Sequence, residues 1–222
     1  MAKISRKNPL ALMALCVLWQ TPAHPYGIVQ YLKSTAKDKA ARLNYGSLYA
    51  VIASLEKAQA IEAVEVTQTG NLPPRTVYRV TDTGVAEMNA WLANLIASPV
   101  DEAPQFMAAL SILPTLGVDE TLELLRHRAT VLQQKVDLLI SQRAAAAEVV
   151  PEAFSVDELY QMAMTRAELA FVTDLVSRID SGRLDGLDLW RDIHAHLQDG
   201  RPDWQQCRTN PSSGWRYRPG QT

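Results

Sequence analysis

Residues 43–61, LNYGSLYAVIASLEKAQAI, constrain the chain most, because they pair one buried stripe with one unusually bare face. At about 100° per residue, Leu48, Val51, Ile52 and Leu55 fall on a single stripe that must be buried against other helices. Asn44 has the short acceptor side chain that suits an N-cap. The other side carries Gly46, Ser47, Ala50, Ala53, Ser54 and Lys57, with Tyr45 and Tyr49 flanking it. Small residues let a helix axis approach another surface closely, and hydroxyls, phenols and a lysine can reach base edges or phosphates in a major groove. An ordinary surface helix satisfies the same pattern.

The neighbouring segments narrow the choice. Residues 61–68, IEAVEVTQ, alternate apolar and polar in the period of a half-buried strand; residues 69–74, TGNLPP, read as a turn, and residues 76–80 alternate again. This predicts a β-hairpin with Arg75 at its tip and Arg79 further along, both placed for phosphate or minor-groove contact. Upstream, residues 9–20 read as a nearly all-apolar, buried helix and residues 26–36 as a second helix burying Ile28, Val29 and Leu32. Lys33, Lys37, Lys39 and Arg42 cluster just before the third helix, where backbone phosphates are their natural partners, although a solvated loop would also carry them. The short arm with Lys3, Arg6 and Lys7 has the same two readings. Helix, helix, recognition helix, hairpin, helix is the order of a winged helix-turn-helix with a two-stranded β wing.

The chain resembles the PadR-like transcriptional regulators. The matching residues are His24 and Tyr26-Gly27-Ile28 in HPYGI, Gly46-Ser47-Leu48-Tyr49 in YGSLY, Leu55-Glu56-Lys57 with Ile61, and Pro74-Arg75, Tyr78, Thr81 and Gly84 in the wing segment PPRTVYRVTDTG. The order and spacing hold over about residues 8–97. The family has glycine where this chain has Pro25 and Gln59; proline suits a helix start, but Gln59 forgoes the residue that most easily takes a left-handed cap. The resemblance implies a DNA-binding set of Tyr26, Lys33, Asn44, Tyr45, Gly46, Ser47, Tyr49, Ser54, Lys57 and Arg75. It also implies that Trp91, in the helix after the wing, lines an effector pocket as tryptophans there do in some relatives; a helix-packing Trp is the plainer reading.

Charge is divided. Residues 1–100 hold ten Lys/Arg against six Asp/Glu, and residues 101–222 hold twelve against eighteen, so a basic first half is joined to an acidic second. That suits DNA contact by the first half only, and a net charge of −2 argues against a protein that coats nucleic acid indiscriminately. Cys16 and Cys207 lie in no metal-ligand spacing, and His194 and His196, two apart on a helix, point away from each other. No phosphate loop, metal motif or nucleophile elbow is present in the sequence, so neither an enzyme nor a cofactor is expected. Residues 9–19 are too short to span a bilayer and lack a cleavage site; the expectation is a cytoplasmic protein without membrane contact, a signal peptide being the competing reading.

The SPVDEAP stretch at residues 98–104 marks the expected boundary between a winged-helix domain over residues 1–98 and a helical domain over residues 99–198. In the latter, residues 119–148 and 156–180 read as long amphipathic helices whose near-heptad stripes seek a partner. Leu122, Leu125, Leu132, Val136 and Leu139 on the first, with Leu169 and Val176 on the second, are the expected dimerisation residues. Residues 199–222 are expected to form a disordered tail. The whole predicts a mainly α protein with an N-terminal winged helix and a C-terminal helical dimerisation domain. The implied function is sequence-specific regulation of transcription on double-stranded DNA, as a homodimeric repressor of a near-palindromic operator answering to a small aromatic or other effector. The alternatives are an activator of the same family and a winged-helix module that docks on protein.

Overall fold

The computed structural model describes residues 4, 6, 8–38, 40, 43–67 and 75–198, and the chain divides into two compact units, Met1–Glu102 and Ala103–Thr222. In the first unit, α1 (Pro9–Gln20) starts where the Asn8 side chain accepts the Leu10 N–H and Pro9 takes a first-turn position at which no donor is needed. Helix α2 (Pro25–Ser34) starts in the same way, with His24 Nδ1 accepting the Gly27 N–H at 2.8 Å. Helix α3 (Tyr45–Lys57) comes next, then β1 (Ile61–Thr67), β2 (Arg75–Val80) and α4 (Asp82–Ala97). Leu15 of α1, Ile28 and Leu32 of α2, and Leu48 and Leu55 of α3 are fully buried at the centre of one core. This is the winged helix expected from the sequence.

The wing is an antiparallel pair whose register slips between Ala63 and Glu65, so one extra residue on β1 bulges out. On its other edge β2 is tied to the start of α2, because Ala23 and Tyr78 exchange two backbone hydrogen bonds of 3.0 Å. The expected turn at residues 69–74 lies outside the described residues.

Gln59 answers the missing glycine. It takes φ +58, the left-handed conformation, at the turn from α3 into β1. That conformation costs an L-residue about 1–2 kcal/mol, part of which glycine would return through its larger unfolded-state entropy. Gln59→Gly is therefore expected to stabilise the protein by about 0.5–1 kcal/mol, read as a higher denaturant midpoint at unchanged slope. A lower midpoint would mean that the Gln59 side chain contributes more than its backbone costs.

Two expectations in this unit are corrected, and the face that α4 buries is settled. Helix α1 is not buried all round, since Trp19 at its end is 60% exposed. The described residues of the arm are engaged: Ile4 is buried in the core and Arg6 pairs with Glu87 of α4 at 3.0 Å. The buried face of α4 runs through Gly84, Met88 and Trp91, which turns Leu92, Leu95 and Ile96 outward.

The second unit holds α5 (Gln105–Ser111), α6 (Val118–Ala146), α7 (Val156–Asp180) and α8 (Leu187–Gln198). Helices α6 and α7 form a hairpin, and α8 docks on the loop before α6 through Trp190 Nε1, which donates to the Leu116 carbonyl at 2.8 Å. Here the expected dimerisation residues lie inside a single chain. Leu122, Leu125, Leu132 and Val136 are buried and Leu139, Leu169 and Val176 half-buried within a single chain. Leu122, Leu125 and Leu132 share a core with Val172, Leu175 and Ile179 of α7. The stripe does seek a partner helix, and that partner is the next helix of the same chain.

A second stripe stays outside. Leu124, Val131 and Leu138 recur every seven residues on α6 and are all about half exposed, as are Met164 and Phe171 on α7, with Tyr160 more so. Arg128, between Leu124 and Val131, pairs with Glu168, between Met164 and Phe171. The ion pair fixes both stripes on one side of the hairpin. Phe106 of α5 lies on that side too, with the Arg128 guanidinium 3.7 Å from its ring centroid and the Phe171 ring edge-on at 6.5 Å.

Candidate nucleic-acid interface

Helix α3 owes its exposed face to its cap and its stripe. Asn44 Oδ1 accepts the Gly46 N–H at 2.9 Å, so this side chain is engaged in starting the helix before it can serve anything else. With Leu48, Val51, Ile52 and Leu55 turned inward, Gly46, Ala50, Ala53 and Lys57 point directly out. Tyr45 and Tyr49 stand exposed on one flank and Ser47 and Ser54 on the other. The serine flank opens on a shallow notch of about 290 Å³, walled by Ser47, Ala50 and Ser54 on one side and Ile4, Asn8 and Ala11 on the other. Sequence reasoning missed that the arm reaches this helix; its only signal was Ile4, an isolated apolar residue among cations.

On the tyrosine flank, Lys33 of α2 donates from Nζ to the Tyr45 hydroxyl at 3.4 Å and lies 5.5 Å from its ring centroid. Tyr26, at the start of α2, stacks on His24 with centroids 6.2 Å apart, and the guanidinium of Arg75, the first residue of β2 on the turn side of the wing, lies 5.5 Å from the Tyr26 centroid. Tyr26 and Lys33 are seven residues apart, two turns and about 10 Å of rise, hence on one face of α2. Gln30, exposed between them, shares that face and was not singled out from the sequence. Arg79 behaves differently from expectation: it donates from Nε to Glu62 across the hairpin at 2.6 Å, so its charge is matched within the wing. Burial and the nearby Glu56 carboxylate push the Tyr78 phenol above its ordinary value against a hydrogen bond to Thr76.

The structure thus brings Tyr26, Lys33, Tyr45, Tyr49, Gly46 and Lys57 to one exposed side with Arg75, and Ser47 and Ser54 to its edge. Trp91 does not join them. It is 3% exposed in the core, as a helix-packing residue would be. Among the described residues no group of three His, Cys, Asp or Glu side chains could hold a metal ion, and no helix is long and apolar enough to cross a membrane. Lys39 and Arg42 of the basic cluster, Lys3 and Lys7 of the arm, and the segment from residue 199 lie outside the described residues.

Residues 14–90 match the model of the Transcriptional regulator PadR-like family. No curated protein matches. Among solved structures, Bacillus subtilis PadR in complex with operator DNA is similar at a TM-score of 0.62 and 16% identity, covering 77% of this chain and 99% of that one. The same protein in complex with p-coumaric acid gives a TM-score of 0.63 at 16% identity over 77% and 98% of the two chains. The PadR-like transcriptional regulator BC1756 from Bacillus cereus gives 0.53 at 13% identity over 78% and 99%. At these identities the likeness shows a shared fold.

Proposed function

We propose that this chain, whose residues 14–90 match the PadR-like family of transcriptional regulators, is a regulator of that family and binds duplex DNA sequence-specifically as a homodimer. The observation that carries the reading is the exposed side of α3. A face of glycine and alanine, edged by two serines and two tyrosines and bordered by Lys33, Lys57 and Arg75, fits a major groove with phosphates on either side. One winged helix reads only a few base pairs, so useful specificity asks for two half-sites about one helical turn apart, related by a two-fold axis. The outward stripe of α6 and α7 is the surface proposed for that axis. By likeness to Bacillus subtilis PadR, seen with operator DNA and with p-coumaric acid, the proposed outcome is repression from a near-palindromic operator, relieved by a small effector.

Footprinting the purified protein on DNA upstream of its own gene tests the reading, with binding repeated across a salt series. Phosphate-driven binding must weaken steeply as salt rises; protection of no segment, with binding indifferent to salt, would favour docking on a protein instead. Deleting the gene should raise the transcript beside the footprint if the protein represses, and lower it if it activates.

Within the interface, Tyr49→Ala and Ser47→Ala are each expected to weaken specific binding by about 1–3 kcal/mol. Gly46→Ala separates binding from folding. An added Cβ there meets only Asn44 Oδ1 at 3.5 Å, an ordinary contact, so the fold should hold or gain up to about 1 kcal/mol from helix propensity. The same methyl group stands toward the DNA and should lower affinity. Titration beside thermal melting reads both, and equal affinity in all three variants would remove α3 from the interface.

A further inference from the structure

Resting on that DNA-binding reading, we infer that Tyr26 and Tyr45 act as platforms that hold Arg75 and Lys33 in place for two separate phosphates, rather than as readers of sequence. The two sites share a cation beside a tyrosine ring, and at Tyr45 the hydroxyl also accepts a hydrogen bond from Lys33 Nζ at 3.4 Å. Each has a cation 5.5 Å from a tyrosine ring centroid, within the range where the ring's negative face attracts it. In each the cation and the ring come from different elements: the start of β2 and the start of α2 in one, α2 and the start of α3 in the other. Each tyrosine is itself braced. Tyr26 stacks on His24, whose neighbour Ala23 is hydrogen-bonded twice to Tyr78 of the wing, and Tyr45 follows the capping Asn44 directly.

The chemistry explains the design. A long cationic side chain loses rotamer freedom when it takes hold of a phosphate, a cost of about 0.5–1.5 kcal/mol for a rotamer-rich side chain. An aromatic ring that restrains it beforehand removes part of that cost without supplying any sequence information. Because Tyr26 and Lys33 lie two turns apart on one face of α2, the two platforms set the wing-side and helix-side cations at a fixed spacing along the DNA backbone.

Double-mutant cycles on the full chain test this, using a short duplex of scrambled sequence and a salt series. Tyr26→Leu should lower affinity about two- to fivefold, Tyr26→Phe should match the wild type, and Arg75→Ala should make the salt slope shallower by about one unit. In the Arg75→Ala background, Tyr26→Leu should have no further effect. Tyr45→Leu should likewise lose its effect in the Lys33→Ala background, and Tyr45→Phe should fall between Tyr45→Leu and the wild type because the hydroxyl holds Lys33 as well. An undiminished loss from Tyr26→Leu in the Arg75→Ala background would mean that the ring touches DNA itself, and a loss in Tyr26→Phe as large as in Tyr26→Leu would assign the contact to the hydroxyl. Either overturns the platform role while leaving DNA binding intact. A wild type whose affinity ignores salt would instead remove the DNA reading beneath it. Thermal melting of each variant shows that the fold is kept.

Discussion

Val131→Glu combined with Met164→Glu is expected to turn the protein into a folded monomer that has lost about 10²–10⁴-fold in affinity for a two-fold DNA site. The size comes from linkage: once one half-site is bound, a joined second winged helix meets its own at a high effective concentration, and separating the chains removes that advantage without touching α3. Folding should survive because both side chains are already half in water, at 48% and 54% exposure, and neither sits in the hairpin core. They flank opposite ends of one ion pair, Val131 beside Arg128 and Met164 beside Glu168, so four glutamates would crowd any two-fold axis through this face. Leu132→Ala is the contrasting variant. Leu132 is buried against α7, and its truncation should cost about 2–5 kcal/mol of fold stability. Sedimentation velocity with circular dichroism separates the cases. If the double glutamate variant remains dimeric at the concentrations where the wild type does, the α6–α7 face is not the interface, and the outward Leu92, Leu95 and Ile96 of α4 become the next surface to test.

The stripe singled out from the sequence is covered within the chain for a physical reason. Helix α6 carries two apolar stripes of nearly the same period, one through Leu122, Leu125, Leu132 and Val136 and one through Leu124, Val131 and Leu138. Periodicity reports that a stripe is to be covered, but not by which chain. The denser one packs against α7 and leaves the sparser one outside. Legibility was better in the first unit, because α3 has one stripe and one bare face, and the wing is bounded by turn residues. Even there, Arg79 was assigned to phosphate when its cross-strand neighbour is Glu62, since register depends on a bulge at Ala63 and Glu65 that alternation does not reveal. Trp91 and Leu92 are a similar case. Adjacent large apolar residues on α4 are ranked by contact with α1, and only the packed helices decide that Trp91 goes in and Leu92 stays out.

Gly84→Ala is expected to cost about 3 kcal/mol, lowering the melting temperature by about 6–12 °C, through a single methyl group. A Cβ built at Gly84 would stand 2.0 Å from the Ala60 carbonyl oxygen and 2.7 Å from Val80 Cγ2, where real Cβ contacts stay beyond 3.0 Å. The nearer atom is backbone and cannot swing aside. It is also in use, accepting the Thr81 N–H at 3.0 Å where the wing hands over to α4. Thr81 in turn caps α4 by accepting the Gly84 N–H at 3.1 Å and donates from its hydroxyl to the Gln59 carbonyl at 2.7 Å. Moving α4 away to admit the methyl therefore pulls on the cap, on the α3-to-β1 corner and on the seat of Met88 and Trp91 together. The need for glycine here is one of space, not of conformation, since Gly84 is helical. Gly27→Ala isolates the cause. It is also a helical glycine, but its Cβ would meet nothing closer than 3.5 Å, so it should melt within a few degrees of the wild type. A Gly84→Ala variant as stable as Gly27→Ala would show that α4 can shift away from α3 cheaply, and the close approach at Ala60 would then have no part in holding the wing against the recognition helix.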